Sequence, residues 1–361
     1  MKVPFWKSVL IVFGIIAILL TIIPYFSTDY WWIRMFDFPH LQLTFLTLLA
    51  ILVYFIKFNF NNWKDYVFIA FLAICFVCQF SKIFPYTTFS TYEVLDSSKK
   101  NQETLKIYTS NVLQNNDNYQ LLINQIKGYD ADIVLLTETD NNWLQNISVK
   151  VSNMYPYKKE IPLNNTYGML LYSKLPLINP QVKYLVSDSV PSIHAKIKLS
   201  NKDTIQVRAI HPTPPMPQEN PKSSDRDTEM MMIAKMALES KYPVIVLGDF
   251  NDVAWSVTSQ LFDRVSRLID VRKGRGLFNT YSADNKILRW PLDHIFISSE
   301  FRLKNIKRCE DINSDHFPLF TELSFEPEIK EEQEQPYPSK ADLKNVEDQI
   351  KNFNKNKKQS K

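Results

Sequence analysis

The apolar positions of this chain follow two different patterns. Over the first 84 residues they form long uncharged runs. Residues 8–27 are mostly aliphatic over about 20 positions, the length of one bilayer crossing. Residues 38–56 form a second such run. Residues 66–81 form a third of roughly 16 positions, close to the short limit for spanning. The pattern predicts three transmembrane helices, at about 8–27, 38–56 and 66–84. Trp31, Trp32, Trp63 and Tyr66 stand at the run ends, as interfacial aromatics do. The first run closes on Pro24-Tyr25-Phe26 instead of a small-x-small cleavage site, which predicts a retained anchor and not a signal peptide.

From Leu105 the runs shorten and alternate in type. Strands are predicted at 105–112, 132–137, 168–172, 193–199, 205–210, 244–247, 294–297 and 319–325. Helices are predicted at 119–127, 225–239 and 256–267, with Met230, Met231 and Met232 packing from the second of these. The domain plan is therefore a transmembrane region over 1–84, a polar linker over 85–104 and an α/β domain over 105–325. A charged, disordered tail over 326–361 completes it, with a transient helix around 341–353.

Charge decides sidedness. Lys2, Lys7, Lys57 and Lys64 place the amino terminus and the second short loop in the cytoplasm. Three crossings then put everything after Lys82 outside the cytoplasmic membrane. The net charge of +4 exerts no general pull towards nucleic acid, and no long basic-aromatic surface is visible. Three cysteines supply no disulfide framework.

The chemistry gathers at strand ends. In VIVLGDFN, Asp249 and Asn251 follow a buried-type strand and a glycine turn, at the edge where α/β sheets collect ligands. Asn111 and Glu138 end two earlier strands, and His211 ends VRAIH before a Pro-rich turn. Asp293 opens DHIFIS, and Asp315-His316 precede the last strand. Each alone reads as a cap or a satisfied polar group. Together they suit hydrolysis of a phosphate ester. Carboxylate and amide oxygens favour Mg²⁺ or Mn²⁺, and the remaining groups can orient water and hold charged oxygens. Arg272, Lys273 and Arg275 form a basic loop, and Arg289 lies just before Asp293. Both are candidates for gripping an anionic group. His294, His194 and His40 read as structural.

TSNV, LLTETD, AIHPTPP, VLGDFN, PLDHIFIS and SDHFPL, in this order, resemble the endonuclease/exonuclease/phosphatase superfamily. The resemblance implies a four-layer α/β sandwich, two mixed sheets flanked by helices. It implies that Glu138 is the main metal ligand, with Asn111 and Asp315 beside it. Asp249 orients or deprotonates water, and Asn251 holds a phosphate oxygen. Asp293 fixes the ring of His316, which contacts the phosphate, and His211 binds phosphate or donates a proton. Tyr167 lies in a strand that resembles a family strand near the site.

Three helices ahead of this domain also resemble bacterial membrane-bound members, including the VanJ-type teicoplanin-resistance proteins. The expectation is a phosphoesterase anchored by several spans in the bacterial cytoplasmic membrane, acting outside the cytoplasm. Its substrate would be a membrane-lipid phosphate or phosphodiester, a polyprenyl pyrophosphate among them. An extracytoplasmic nuclease and a degenerate domain that only binds phosphorylated ligands are the alternatives. No protein partner is legible.

Overall fold

The computed structural model describes residues 4–26, 28–98 and 103–359. Lys2, Ser27, residues 99–102 of the predicted linker and the last two residues of the predicted tail lie outside them. The first part is a bundle of α1 (Phe5–Ile22), α3 (His40–Tyr54) and α4 (Trp63–Ile83), with the short α2 (Trp31–Arg34) between the first two. Three helices of the described residues are long and apolar enough to cross a membrane. The third exceeds its expected length. Asp65 in its first turn and Lys82 in its last belong to the helix and do not end it. Its 21 residues measure roughly 32 Å, enough for a hydrocarbon core.

The bundle has its polar groups inside and its apolar groups outside. Gln79 donates to Thr21 Oγ1 at 2.5 Å and accepts from Thr47 at 3.1 Å, all three buried. Gly14 lets Phe68 pack where a Cβ would clash. Val12, Leu19, Phe45, Leu52, Phe71 and Val77 face outward. That inversion suits a lipid environment, where apolar surface costs nothing and unpaired polar groups cost most.

The second part alternates strand and helix. In order these are β1 (Thr104–Asn111), α5 (Tyr119–Tyr129), β2 (Ile133–Thr137), α6 (Asn141–Val151), β3 (Tyr157–Ile161), β4 (Met169–Ser173), β5 (Leu177–Lys183), β6 (Ser192–Lys198) and β7 (Thr204–Ile210). Then come α7 (Ser224–Leu238), β8 (Val244–Asp249), α8 (Val257–Ser266), β9 (Ile269–Asp270), β10 (Asp293–Ile297), β11 (Phe301–Arg308), β12 (Leu319–Phe325) and α9 (Lys340–Gln359).

Among the described residues they build two six-stranded mixed sheets, ordered β11-β12-β1-β2-β4-β3 and β5-β6-β7-β8-β10-β9. Ile107, Leu135 and Leu171 of one sheet meet Val207, Leu247 and Ile295 of the other in the central core. Helices α5 and α6 cover the first sheet, and α7, α8 and α9 the second. This is the expected four-layer sandwich. Strands β3 and β11, absent from the sequence reading, carry several lysines and arginines at sheet edges, where charge blocks further pairing and blurs the alternation.

Two sequence expectations need correction. The predicted linker is partly core. Val94 is fully buried between the sheets, and Pro85 accepts from Gly274 N at 2.7 Å. The described part of the predicted disordered tail is held at several points. Gln333 bonds Leu95 N and Ser299 O, Arg267 pairs with Glu334, and α9 seats Val346 against α7 and α8 at 2% exposure. Its apolar residues are few but share one helical face, which is sufficient once α7 is beside them.

A candidate active site at the shared edge of the two sheets

Register explains why distant residues meet. Asn111 pairs with Thr137 across β1 and β2, so Glu138 projects one position further on. Glu138 adopts φ 60°, a left-handed conformation that costs a non-glycine residue roughly 1 kcal/mol and aims it out of the strand line. In the second sheet Asp249 lies opposite Asp293 across β8 and β10. Gly248, at φ 136°, passes so close to β7 that a Cβ would stand 2.0 Å from Ile210 O. That approach sets His211, the next residue along β7, beside Asp249.

Asp249 Oδ2 is the hub. Asn111 Nδ2 donates to it at 3.0 Å and to Glu138 Oε1 at 2.7 Å. His211 Nε2 is 3.7 Å away and His316 Nε2 3.6 Å, gaps that exceed a hydrogen bond and leave room for an intervening oxygen. Asp249 Oδ1 accepts from Asn251 N at 2.9 Å. His316 Nδ1 lies 2.8 Å from Asp293 Oδ2. Burial works against a charged His316 ring, but the carboxylates of Asp293 and Asp249 outweigh it and hold its pKa up at about 10.

Glu138 and Asp315 form the acidic wall. Burial pushes the Glu138 carboxyl up, and Asp315 adds to the rise while His211 and Asn111 oppose it. Burial likewise raises Asp315, with Asp249 adding. Two hindered carboxylates of this kind would attract a hard cation, and their oxygen donors suit Mg²⁺ or Mn²⁺. Another group, Asp249, Asp293 and His316, brings donor atoms within 4.8 Å of one another. There the imidazole and Asp293 already satisfy each other, which fits a proton-handling couple better than a cage. Asp293 Oδ1 and His211 Nδ1 remain buried without a partner.

Asn111, expected among the metal ligands, lies beside Glu138 and Asp249. Its oxygen accepts from Leu113 N at 3.0 Å, so its NH₂ is what faces the carboxylates. Asn251 donates its amide to Pro212 O at 2.9 Å, which ties the Pro-rich turn to the site. Arg289 does not reach into the cluster. Its Nε and Nη2 serve the carbonyls of Ser282, Ala283 and Asn285 within its own loop. The basic loop is likewise neutralised, Arg272 by Asp270, Lys273 by Asp263 and Glu93, Arg275 by Asp96. Tyr167 lies with its ring 5.4 Å from that of His211, its hydroxyl on Glu219.

Several supporting groups escaped the sequence reading. Ser314 Oγ donates to Asn111 O at 2.9 Å and accepts from His316 N, tying the end of β1 to the turn that leads into its neighbour β12. Tyr281 sets its ring 5.0 Å from His316. Arg226 on α7, fully buried, holds Asn251 O at 2.8 Å and Asp252 at 3.2 Å. Only Ser314 had a visible signal, its place inside NSDH.

A carboxylate–imidazole couple facing an acidic wall, at the common edge of two stacked mixed sheets, defines a metal-dependent hydrolase of phosphate ester bonds. The chain belongs to the Endonuclease/Exonuclease/phosphatase family, whose model matches residues 107–316, more than half of its length. Solved structures agree in fold. The family protein from Beutenbergia cavernae DSM 12333 is 13% identical over 62% of this chain and 72% of its own, with a TM-score of 0.52. A Bacteroides thetaiotaomicron family protein is 15% identical over 63% of this chain and 99% of its own, with a TM-score of 0.51. D. rerio TDP2, solved with a single-strand DNA product, is 17% identical over 61% and 99%, with a TM-score of 0.51. No curated protein sequence matches this chain.

Proposed function

We propose that this is a membrane-anchored phosphoesterase that hydrolyses a lipid-borne phosphate mono- or diester on the outer side of the bacterial cytoplasmic membrane. One observation carries this reading. The loop that follows Asp249 and Asn251 shares a hydrophobic core with the ends of the apolar helices: Val253, Ala254 and Trp255 pack with Ile83 and Tyr86. The site therefore stands at one end of the bundle, where phosphorylated headgroups lie. Lys7, Lys57 and Lys64 sit at the opposite end, which supports the sidedness.

In this reading Glu138 and Asp315 hold a divalent cation, which supplies charge neutralisation at the phosphoryl group. Asp249 accepts a hydrogen bond from the attacking water in the gap it shares with His211 and His316. Asn251 donates its remaining amide hydrogen to a phosphate oxygen. His316, held protonated by Asp293, donates Nε2–H to the oxygen that gains charge. The test is turnover with Mg²⁺ of lipid phosphates in vesicles against plasmid DNA. Nicking of DNA without release of phosphate from any lipid would reject it in favour of a nuclease.

A further inference from the structure

A hairpin at residues 280–290 links the site to the helix bundle. At its base Tyr281 and Trp290 pair across the two arms and stack at 6.0 Å. Tyr281 also lies against His316, and Trp290 meets Phe38 edge-on at 5.7 Å, just before α3 begins. At its tip, Gln42 in the first turn of α3 donates to Ile287 O at 2.7 Å. The tip backbone is thereby level with the start of an apolar span. Yet its side chains are bare: Ile287 is 76% exposed and Leu288 44%.

Part of the hairpin's backbone is closed off internally, while the charged side chains of Asp284 and Lys286 stand exposed beside the tip. Asn285 Oδ1 accepts from both Ile287 N and Leu288 N at 2.9 Å. Arg289 satisfies the carbonyls of Ser282, Ala283 and Asn285. Such internal bonding lets the tip approach the acyl boundary, where backbone groups find fewer waters than in solution. The exposed apolar pair and its attachment to the start of an apolar helix point the same way.

We infer that Ile287 and Leu288 are seated in the lipid leaflet on the catalytic side, where they hold the mouth of the site open to headgroups. The occupant of this apolar surface is the bilayer itself, because the tip is bonded to the first turn of α3, whose Phe45, Leu49 and Leu52 stand exposed. The inference rests on the anchored lipid-phosphatase reading and adds how the substrate is presented. Asn285 and Arg289 are positioning residues for the tip.

The experiment uses the full chain in vesicles of phosphatidylethanolamine and phosphatidylglycerol, with Cys75, Cys78 and Cys309 replaced by alanine. A fluorophore on Ile287→Cys should be quenched by nitroxide-labelled phospholipid, and one on Val149→Cys, exposed on α6, should not. The double variant Ile287→Ser/Leu288→Ser should lose about tenfold or more of its turnover of phosphatidic acid in vesicles, while turnover of soluble bis(p-nitrophenyl) phosphate stays within about twofold. An unquenched Ile287→Cys probe on protein that resists carbonate extraction overturns the seated hairpin and leaves the anchor standing. Equal loss on both substrates overturns the presentation role. Release of the wild-type chain by carbonate rejects the anchored reading itself, and this inference with it.

Discussion

The indole Nε1–H of Trp255 donates to the backbone carbonyl of Asp37 at 2.8 Å. These residues are 218 positions apart, one four residues past Asn251 and the other in the loop between the first two long helices. Tyr86 reinforces the junction by donating its hydroxyl to Ala254 O at 2.9 Å. The helix bundle is therefore a structural part of the hydrolase domain and not a loosely tethered appendage.

Removing that junction should be felt in both stability and rate. Trp255→Phe keeps most of the packing but orphans a buried carbonyl, at a cost of about 1–3 kcal/mol. Trp255→Ala adds a cavity and should cost about 3–5 kcal/mol. A fragment beginning at Leu105 loses Tyr86 and Val94 as well, and should unfold at a lower temperature than the full chain in detergent. Equal unfolding temperatures would show the junction to be dispensable.

Asp293→Asn should lower turnover by roughly 10²–10⁴-fold with little change in fold, since it removes the charge that keeps His316 protonated. The wild-type ring has a raised pKa, so its proton is present at neutral pH and is lost only as pH climbs through about 10. In the variant that loss comes at lower pH. The residual rate should then fall with rising pH over a range where the wild-type rate is level. A pH–rate profile of both proteins decides it.

Chelation should abolish hydrolysis, and Mg²⁺ or Mn²⁺ should restore it. Glu138→Gln removes the charge of the proposed metal ligand and should raise the metal concentration needed for half-activity by at least about tenfold. Asp270→Asn, in the buried pair with Arg272, should destabilise the fold without moving that metal requirement. Metal titrations of the two variants separate a ligand from a structural carboxylate.

Glu229 on α7 is buried at 2% exposure with Oε1 unpartnered, and burial, aided by Asp225, pushes its carboxyl up to about 8. The unfolded chain ionises this group at lower pH than the folded one. Between those values the unfolded state binds fewer protons, so stability falls as pH rises and levels off above about 8. Glu229→Gln should remove that decline, with a gain on the order of a few kcal/mol at pH 8–9 and almost none at pH 4. Thermal unfolding across pH measures it.

Much of this protein was legible one-dimensionally. Uncharged runs marked the three apolar helices, because lipid imposes length and composition directly on sequence. Short β-branched runs such as VIVLG marked the central strands, which are buried on both faces. The polar residues that end those strands, from Asn111 to His316, were visible because each sits where an apolar run stops.

What escaped was pairwise. Whether Arg289 grips a ligand or its own loop depends on which carbonyls stand near it, and composition carries no record of that. The same holds for Arg226 beneath Asn251, for Val94 inside a polar linker and for Val346 in a charged tail. Sequence by itself determined the elements, the three long apolar helices and the inventory of reactive groups, since local periodicity and composition encode these. Only the tertiary structure decided their partners, above all the docking of Trp255 on Asp37 and of Ile287 on Gln42, because contacts between residues hundreds of positions apart arise from packing and leave no local signature.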